Sequence, residues 1–224
     1  MSGFKNSSLN HDFKKGIYEI IIEGLIECCK LMKDSFTSQS KKIVNHEEKI
    51  RTHLVENYLE NDIKRNKTSL VQQQLRFLAE AQENYDSKNE SYKGRVDIKV
   101  VSSDFLSNGN AYYIIECKRI DGNISLNTKY ITEGVKRFTT LKYSSYYNKN
   151  IMFGFIVRDL NIQKNIQDID KLHKELIGNI IQKDITPIKC GECNEYSVCE
   201  SKYNVNEKQL MLNHIFYNFS NIIE

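Results

Sequence analysis

The feature that most constrains the fold is an apolar run that ends abruptly in charge. Residues 112–115 read Tyr-Tyr-Ile-Ile and are followed at once by Glu116, Cys117 and Lys118. Side chains alternate between the two faces of a strand, so four apolar residues in a row predict a strand that is covered on both faces. Such a strand lies in the centre of a sheet flanked by helices, and the run therefore predicts an α/β fold.

Hydrophobic periodicity predicts the elements around this strand. Apolar residues at helical spacing predict helices over residues 12–33, 42–61, 127–143, 164–182 and 207–223. Alternating or continuous apolar residues predict strands over 94–102, 111–119 and 151–157, while 75–83 fits a strand or a helix. The cysteine-bearing stretch between the last two helices is expected to be part strand. The order predicts a mixed central β-sheet flanked by α-helices, with a helical extension at 1–40 and one compact domain at 41–224.

Two carboxylates and one ammonium are predicted to meet on this sheet. Glu116 and Lys118 are two residues apart on the buried strand and so point to the same face. If the preceding strand pairs with it through the loop at 103–110, Asp97 lies beside Glu116. Two close carboxylates stay ionised only beside a cation, and Mg²⁺ or Mn²⁺ prefers oxygen ligands. The residues therefore predict a metal site in which Lys118 positions or helps to deprotonate a water.

This arrangement resembles the PD-(D/E)XK nuclease superfamily, whose pattern is a carboxylate, a variable spacer and (D/E)-x-K. The resemblance covers roughly residues 43–157, with Val96 where proline is often written. It implies a restriction-endonuclease-like core and metal-dependent hydrolysis of nucleic acid. The expected substrate is DNA, and the expected activity is that of an endonuclease. It also implies a further catalytic carboxylate on the preceding helix, which Glu47 matches better than Glu48, and it makes Glu80 another candidate metal ligand.

Basic residues follow the motif closely. Residues 118–149 contain seven lysines and arginines against two acidic residues. Lysine and arginine supply most of the sequence-independent affinity for nucleic acid, so phosphate contacts are predicted for Arg119, Lys136, Arg137 and Lys142. Arg137 alternatively braces Glu133, one helical turn away. The simpler interpretation of the whole run is a solvated helix face.

The C-terminal cysteines form a second pattern. Cys190-x2-Cys193-x5-Cys199 is spaced as zinc ligands are, with His214 as a fourth candidate. The spacing also resembles iron–sulfur members of the RecB-like nucleases, in which one upstream cysteine, here at 28 or 29, completes the cluster. Neither upstream cysteine has the expected surrounding sequence, so reduced thiols without metal are the preferred interpretation.

Other features bound the setting. No apolar stretch is long enough to span a membrane, and no signal-peptide pattern is present because Glu19 and Glu23 flank the short apolar run at 20–22. These features predict a cytoplasmic protein without a membrane partner. No glycine-rich phosphate loop indicates a nucleotide-driven motor. The N-terminal helix is predicted to mediate homodimerisation or to bind a targeting partner, in a prokaryotic defence, restriction or repair system. The alternative function is a catalytically inactive nuclease fold that binds nucleic acid or scaffolds a complex.

Overall fold

The computed structural model describes residues 7–71, 73–86, 89–143 and 146–224, and within them seven strands form one mixed sheet. The strands are β1 Arg76–Asp86, β2 Ser91–Val101, β3 Tyr112–Ile120, β4 Lys149–Ile156, β5 Ile181–Cys190, β6 Tyr196–Val205 and β7 Lys208–Asn218. Their spatial order is β1-β2-β3-β4-β7-β6-β5. The pairs β3–β4 and β4–β7 are parallel, and the other neighbours are antiparallel. The predicted α/β class with a mixed sheet is confirmed.

Helices cover both faces of this sheet. The α-helices are α1 Ser7–Ser38, α2 Glu47–Leu54, α3 Asp62–Arg65, α4 Asp104–Ser107, α5 Ile124–Lys129, α6 Lys136–Thr139 and α7 Ile162–Ile177. A π-helical turn, Val55–Leu59, extends α2, and another, Tyr130–Val135, joins α5 to α6 into one continuous segment, called here the 124–139 helix. None of the helices in the described ranges is long and apolar enough to cross a membrane.

The sheet separates two apolar cores because alternate side chains of each strand point to opposite faces. Helices α1 and α2 cover one face, where fully buried members include Leu25, Ile50, Ile98, Cys117 and Phe153. The 124–139 helix and α7 cover the other, where fully buried members include Ile114, Tyr130, Met152, Ile169 and Phe216. Burying one such side chain contributes about 1.5–3 kcal/mol, so each helix layer is held mainly by its apolar face.

Helix α1 belongs to the first of these cores. It was predicted as an extension ending near residue 40, separate from the remaining domain. In the structure Leu25, Cys28, Cys29 and Met32 are fully buried in the core that also contains strand residues of the sheet. The apolar side of α1 is therefore part of the packed domain.

The C-terminal third differs most from its predicted structure. The helix predicted over 207–223 is wrong, because these residues form β7 between β4 and β6. The segment is apolar at most positions, a pattern that a buried helix and a doubly covered strand share. The turn before it contains Asn206 and Glu207, both with positive φ, as a two-residue hairpin requires. The helix predicted over 164–182 likewise ends at Ile177, and β5 follows.

Candidate active site

Asp97 lies where β2 and β3 separate. The paired residues of the two strands end at Ile98 and Ile115, and the same register places Asp97 opposite Glu116. Asp97 Oδ2 accepts a hydrogen bond from the backbone N–H of Cys117 at 2.7 Å. The carboxylate therefore takes the position of a ladder hydrogen bond and is held at the junction of the two strands.

Lys118 connects the predicted carboxylates. Its Nζ donates to Glu116 Oε1 at 2.8 Å and to Glu47 Oε1 at 3.2 Å, and lies 4.0 Å from Asp97 Oδ2. Glu116 and Lys118 share the strand face beneath the 124–139 helix, and Gly134 lets that helix approach the sheet, because a Cβ there would overlap the terminal methyl of Met152 in β4. The four residues predicted as catalytic therefore meet around one ammonium group.

Glu47 comes from the first residue of α2. Its second oxygen, Oε2, accepts from the backbone N–H of Arg119 at 3.1 Å. A carboxylate at a helix N-terminus is favoured by the helix dipole, which supports this placement. The helix predicted from residue 42 thus begins five residues later, at the residue that contributes the carboxylate.

Glu80 reaches the site from an unusual backbone conformation. It stands opposite Asp97 in the β1–β2 register and has a φ of 55°, in the left-handed region. A residue other than glycine there costs on the order of 1 kcal/mol or more, and such residues concentrate at functional sites. Arg95 Nη1 donates to Glu80 Oε2 at 2.9 Å. Glu80 and Asp97 are therefore neighbours across the β1–β2 pair.

Arg51 occupies the space between these two carboxylates. Its Nη1 donates to Asp97 Oδ1 at 2.7 Å and its Nη2 donates to Glu80. Burial alone would lower the pKa of Arg51, but the charges of Asp97 and Glu80 outweigh it and raise that pKa. Sequence reasoning missed this residue. The available signal was its spacing, since Arg51 follows Glu47 by four residues on the same helix.

Glu116 is held from the other side by Arg137 and Tyr143. Arg137 Nη1 donates to Glu116 Oε1 at 2.6 Å, and the Tyr143 hydroxyl donates to Glu116 Oε2 at 2.8 Å. Arg137 also lies 2.6 Å from the Tyr143 oxygen. Arg137 therefore braces Glu116, whereas the sequence suggested a phosphate or Glu133 as its partner.

The protonation of the two central groups follows from burial and charge. Burial, and next the charge of Asp97, raises the pKa of Glu116 to about 7, although Lys118 and Arg137 act against this. Burial alone would lower the pKa of Lys118, but Glu116, Glu47 and Asp97 raise it well above its ordinary value. Lys118 is therefore a charged hydrogen-bond donor among these three carboxylates.

The group opens into a cavity of about 510 Å³. Its acidic lining residues are Glu47, Glu48, Glu80, Asp97 and Glu133. Its remaining lining is mainly basic and includes Arg95, Arg119, Lys129, Arg137 and Lys142. Of the four residues predicted to contact phosphate, Arg119, Arg137 and Lys142 line the cavity, whereas Lys136 is not among the lining residues in the described part of the chain.

The donor set has the chemistry of a magnesium or manganese site. Carboxylate oxygens are the ligands that such ions prefer. Within residues 7–71, 73–86, 89–143 and 146–224, however, no three acidic, histidine or cysteine groups are arranged to hold a metal ion. Arg51 engages Asp97 Oδ1, and Lys118 and Arg137 engage Glu116 Oε1. Basic side chains thus balance the carboxylates in this conformation.

The C-terminal cysteines are not gathered. Cys190 ends β5 and Cys193 lies in the following turn, both exposed, while Cys199 is buried in β6. The two ring nitrogens of His214 lie 3.0 Å from the Tyr130 hydroxyl and 2.7 Å from Ser201 Oγ. All the cysteines, including those at 28 and 29, are free thiols. Among the described residues, these side chains form no ligand group for the alternative zinc or iron–sulfur centre.

Comparisons of the chain with protein-family models, with curated proteins and with solved structures find no match. The geometry of the cavity and the residues of the motif therefore carry the assignment of a function.

Proposed function

We propose that the protein is a metal-dependent nuclease that hydrolyses phosphodiester bonds of nucleic acid, with DNA as the expected substrate. The observation that carries the proposal is the convergence of Asp97, Glu116 and Glu47 on Lys118. All of them except the fully buried Glu116 line a cavity that also has several basic lining residues. Strands β1–β4, with α2 before them and the 124–139 helix after β3, would then be a restriction-endonuclease-like core.

Each residue has a role in this mechanism. Asp97 and Glu116, with Glu80 near Asp97, would hold Mg²⁺ or Mn²⁺, and the bound ion would lower the pKa of a water and offset charge on the phosphate. Lys118, fixed by Glu47 and Glu116, donates to the attacking water or to the developing negative charge. Arg137 and Tyr143 orient Glu116.

The basic lining binds the backbone of the substrate. Lys142 and Lys129 provide ammonium groups for phosphate contacts, which give affinity without sequence preference. The guanidinium of Arg119 already makes a hydrogen bond within the protein, because its Nη1 donates to Asn45 Oδ1 at 2.9 Å. Homodimerisation or a targeting partner, a cytoplasmic location and a role in prokaryotic defence, restriction or repair stay predictions from the sequence.

Cleavage assays test the proposal directly. Plasmid, linear duplex, single-stranded DNA and RNA are incubated with Mg²⁺, Mn²⁺ or EDTA, using the wild type, Lys118→Ala and Glu116→Gln. We expect metal-dependent cutting that both substitutions abolish. Lys149→Ala is the matched control, because this lysine lines a different cavity, beside Tyr18 on α1. Equal cutting by wild type and Lys118→Ala would refute the assigned site.

A second function is favoured by the Arg51 contacts. If Arg51 remains on Asp97 and Glu80 permanently, the carboxylates are structural and the cavity only binds nucleic acid. The same assay distinguishes the two functions, because this alternative predicts binding in EDTA without cutting under any metal condition.

A further inference from the structure

Arg51 has the environment of a cation enclosed in an acidic site. Its side chain is 6% exposed and contacts Asp97 and Glu80, whereas the side chain of Arg95, which also contacts Glu80, is 63% exposed. The two arginines therefore place equal charges near one carboxylate, but only Arg51 stands between the acidic groups.

The hydrogen bonding of Arg51 is incomplete. Its Nε is buried, and nothing in the described ranges accepts a hydrogen bond from it. A buried donor without an acceptor is unfavourable, and the planar guanidinium is normally satisfied on several sides. By contrast, the buried Arg65 donates from both terminal nitrogens to the backbone carbonyls of Leu75 and Gln73. Arg51 is thus less completely hydrogen-bonded than Arg65, as expected for a cation that another cation can replace at Asp97 and Glu80.

A metal ion and this guanidinium cannot use the same oxygens. Asp97 Oδ2 accepts a hydrogen bond from the backbone N–H of Cys117, so Oδ1, the oxygen that Arg51 contacts, is the candidate metal ligand. Like charges at hydrogen-bond distance repel strongly, so one must leave when the other binds. Arg51 lines the 510 Å³ cavity and has space into which it can move.

We propose that Arg51 is a built-in counter-cation of the Asp97–Glu80 pair, and that a divalent cation binds there only in exchange for it. This inference depends on the proposed function for the identity of the site as a metal site. The exchange lowers the affinity of the site for metal, and Arg51 balances the negative charges of Asp97 and Glu80 until a metal ion binds. A substrate phosphate in the cavity is a suitable new partner for the displaced guanidinium, which links metal loading to substrate binding.

Manganese binding to the full-length chain, without nucleic acid, tests the exchange. Free Mn²⁺ is counted by electron paramagnetic resonance in titrations of wild type, Arg51→Gln and Arg95→Gln. We expect Arg51→Gln to bind Mn²⁺ at least about tenfold more tightly, since one neighbouring opposite charge changes the cation affinity of a carboxylate by about that factor or more. Arg95→Gln removes the same charge from an exposed position and should give a much smaller gain. Equal gains, or no gain in Arg51→Gln, would overturn the proposal.

Thermal unfolding gives an independent measurement. Without metal, Arg51→Gln should unfold at a lower temperature than wild type, and Mn²⁺ should restore more stability to it than to wild type. Should Arg51→Gln fail to fold, Arg51→Lys serves instead, and we expect Mn²⁺ affinity above that of wild type because a lysine cannot bridge both carboxylates. Tighter Mn²⁺ binding with no cleavage by any form would support the exchange and count against the nuclease. Cleavage by the wild type, with Mn²⁺ affinity unchanged in the variants, would support the nuclease function and refute the exchange.

Discussion

Two polar groups of very different character lie against the 124–139 helix. One is the charged site, with Glu47, Glu80, Asp97, Glu116, Arg51 and Lys118. The other is a neutral chain of fully buried side chains: Tyr130, His214, Ser201, Tyr203 and His173. Successive members of the neutral chain are 3.0, 2.7, 2.8 and 2.8 Å apart. The charged site opens to a cavity, and the neutral chain is closed.

The difference shows how polar groups are accommodated inside this fold. In the neutral chain each step can pair one donor with one acceptor, because Ser201 donates to Tyr203 and neutral histidines supply one of each. Buried neutral groups that are paired cost little, so this chain fixes the helix to the sheet. The charged site instead has a left-handed Glu80 and an Arg51 Nε without an acceptor. Among the described residues, His173 Nδ1 at the end of the neutral chain is also buried without a hydrogen-bond partner, so the two groups differ in charge and in the backbone of Glu80 rather than in how completely they are paired.

An Asp-to-Asn substitution should reduce cleavage in the charged site and leave it unchanged beside the neutral chain. Asp97→Asn removes a proposed metal ligand, and we expect cleavage to fall by about 100-fold or more, as for loss of a group that stabilises developing charge. Asp170→Asn is the matched change beside the neutral chain, where Asp170 lies 3.5 Å from His173 Nδ1. It should leave the rate per folded molecule unchanged. Comparable losses in both variants, measured on one duplex substrate, would remove the distinction.

The site residues that the sequence predicted are those whose positions depend on the pairing of β2 with β3. Glu116, Lys118 and Asp97 follow from alternation along β3 and from its pairing with β2. The position of Arg51 depends also on where α2 packs against the sheet, a tertiary contact that its spacing from Glu47 does not by itself specify. Tyr143 also has no local signal, because nothing in the neighbouring sequence indicates a hydroxyl directed at Glu116.

The fold shows the same division. Strands β2, β3 and β4 were predicted close to their observed limits, since their apolar runs are short and bounded by polar loops. The hairpin of β6 and β7 was missed because its Asn206-Glu207 turn lacks the glycine that usually marks it. Pro187 lies in β5, at the edge of the sheet, where a strand tolerates the loss of a backbone donor.

Acid should destabilise the protein through the neutral chain. Burial lowers the pKa of His214 from 6.5 to about 3. The unfolded chain therefore takes up a proton that the folded chain refuses, so this stability is complete above about pH 6.5 and is lost as pH falls towards 3. We expect His214→Gln to reduce the slope of unfolding free energy against pH in that window by up to about 1.4 kcal/mol per unit.

The control for this measurement is His46→Gln, which changes an exposed histidine. Glu116, whose raised pKa acts in the opposite direction between about pH 4.5 and 7, is present in all three proteins and cancels in the comparison. An unchanged slope in His214→Gln would show that the neutral chain does not control the acid response.

Removing one hydroxyl from the neutral chain should affect stability alone. Tyr130→Phe leaves a buried nitrogen of His214 without its partner, and we expect a loss of about 1–3 kcal/mol of unfolding free energy. Chemical denaturation measures this loss, with Tyr146→Phe as the control because Tyr146 is exposed. A change in the cleavage rate of folded Tyr130→Phe would show that the neutral chain also takes part in the reaction.

The smallest expected effect concerns the basic lining of the cavity. Lys142 lines it and Lys136 does not, although both follow the motif within one short stretch. Each phosphate contact contributes close to one unit to the slope of log affinity against log salt concentration. Lys142→Ala should therefore reduce that slope by about one, measured as DNA binding in EDTA, whereas Lys136→Ala should leave it unchanged. Equal reductions in the two variants would mean that nucleic acid contacts the outer surface of the 124–139 helix as well as the cavity. The substrate-binding surface would then include that helix.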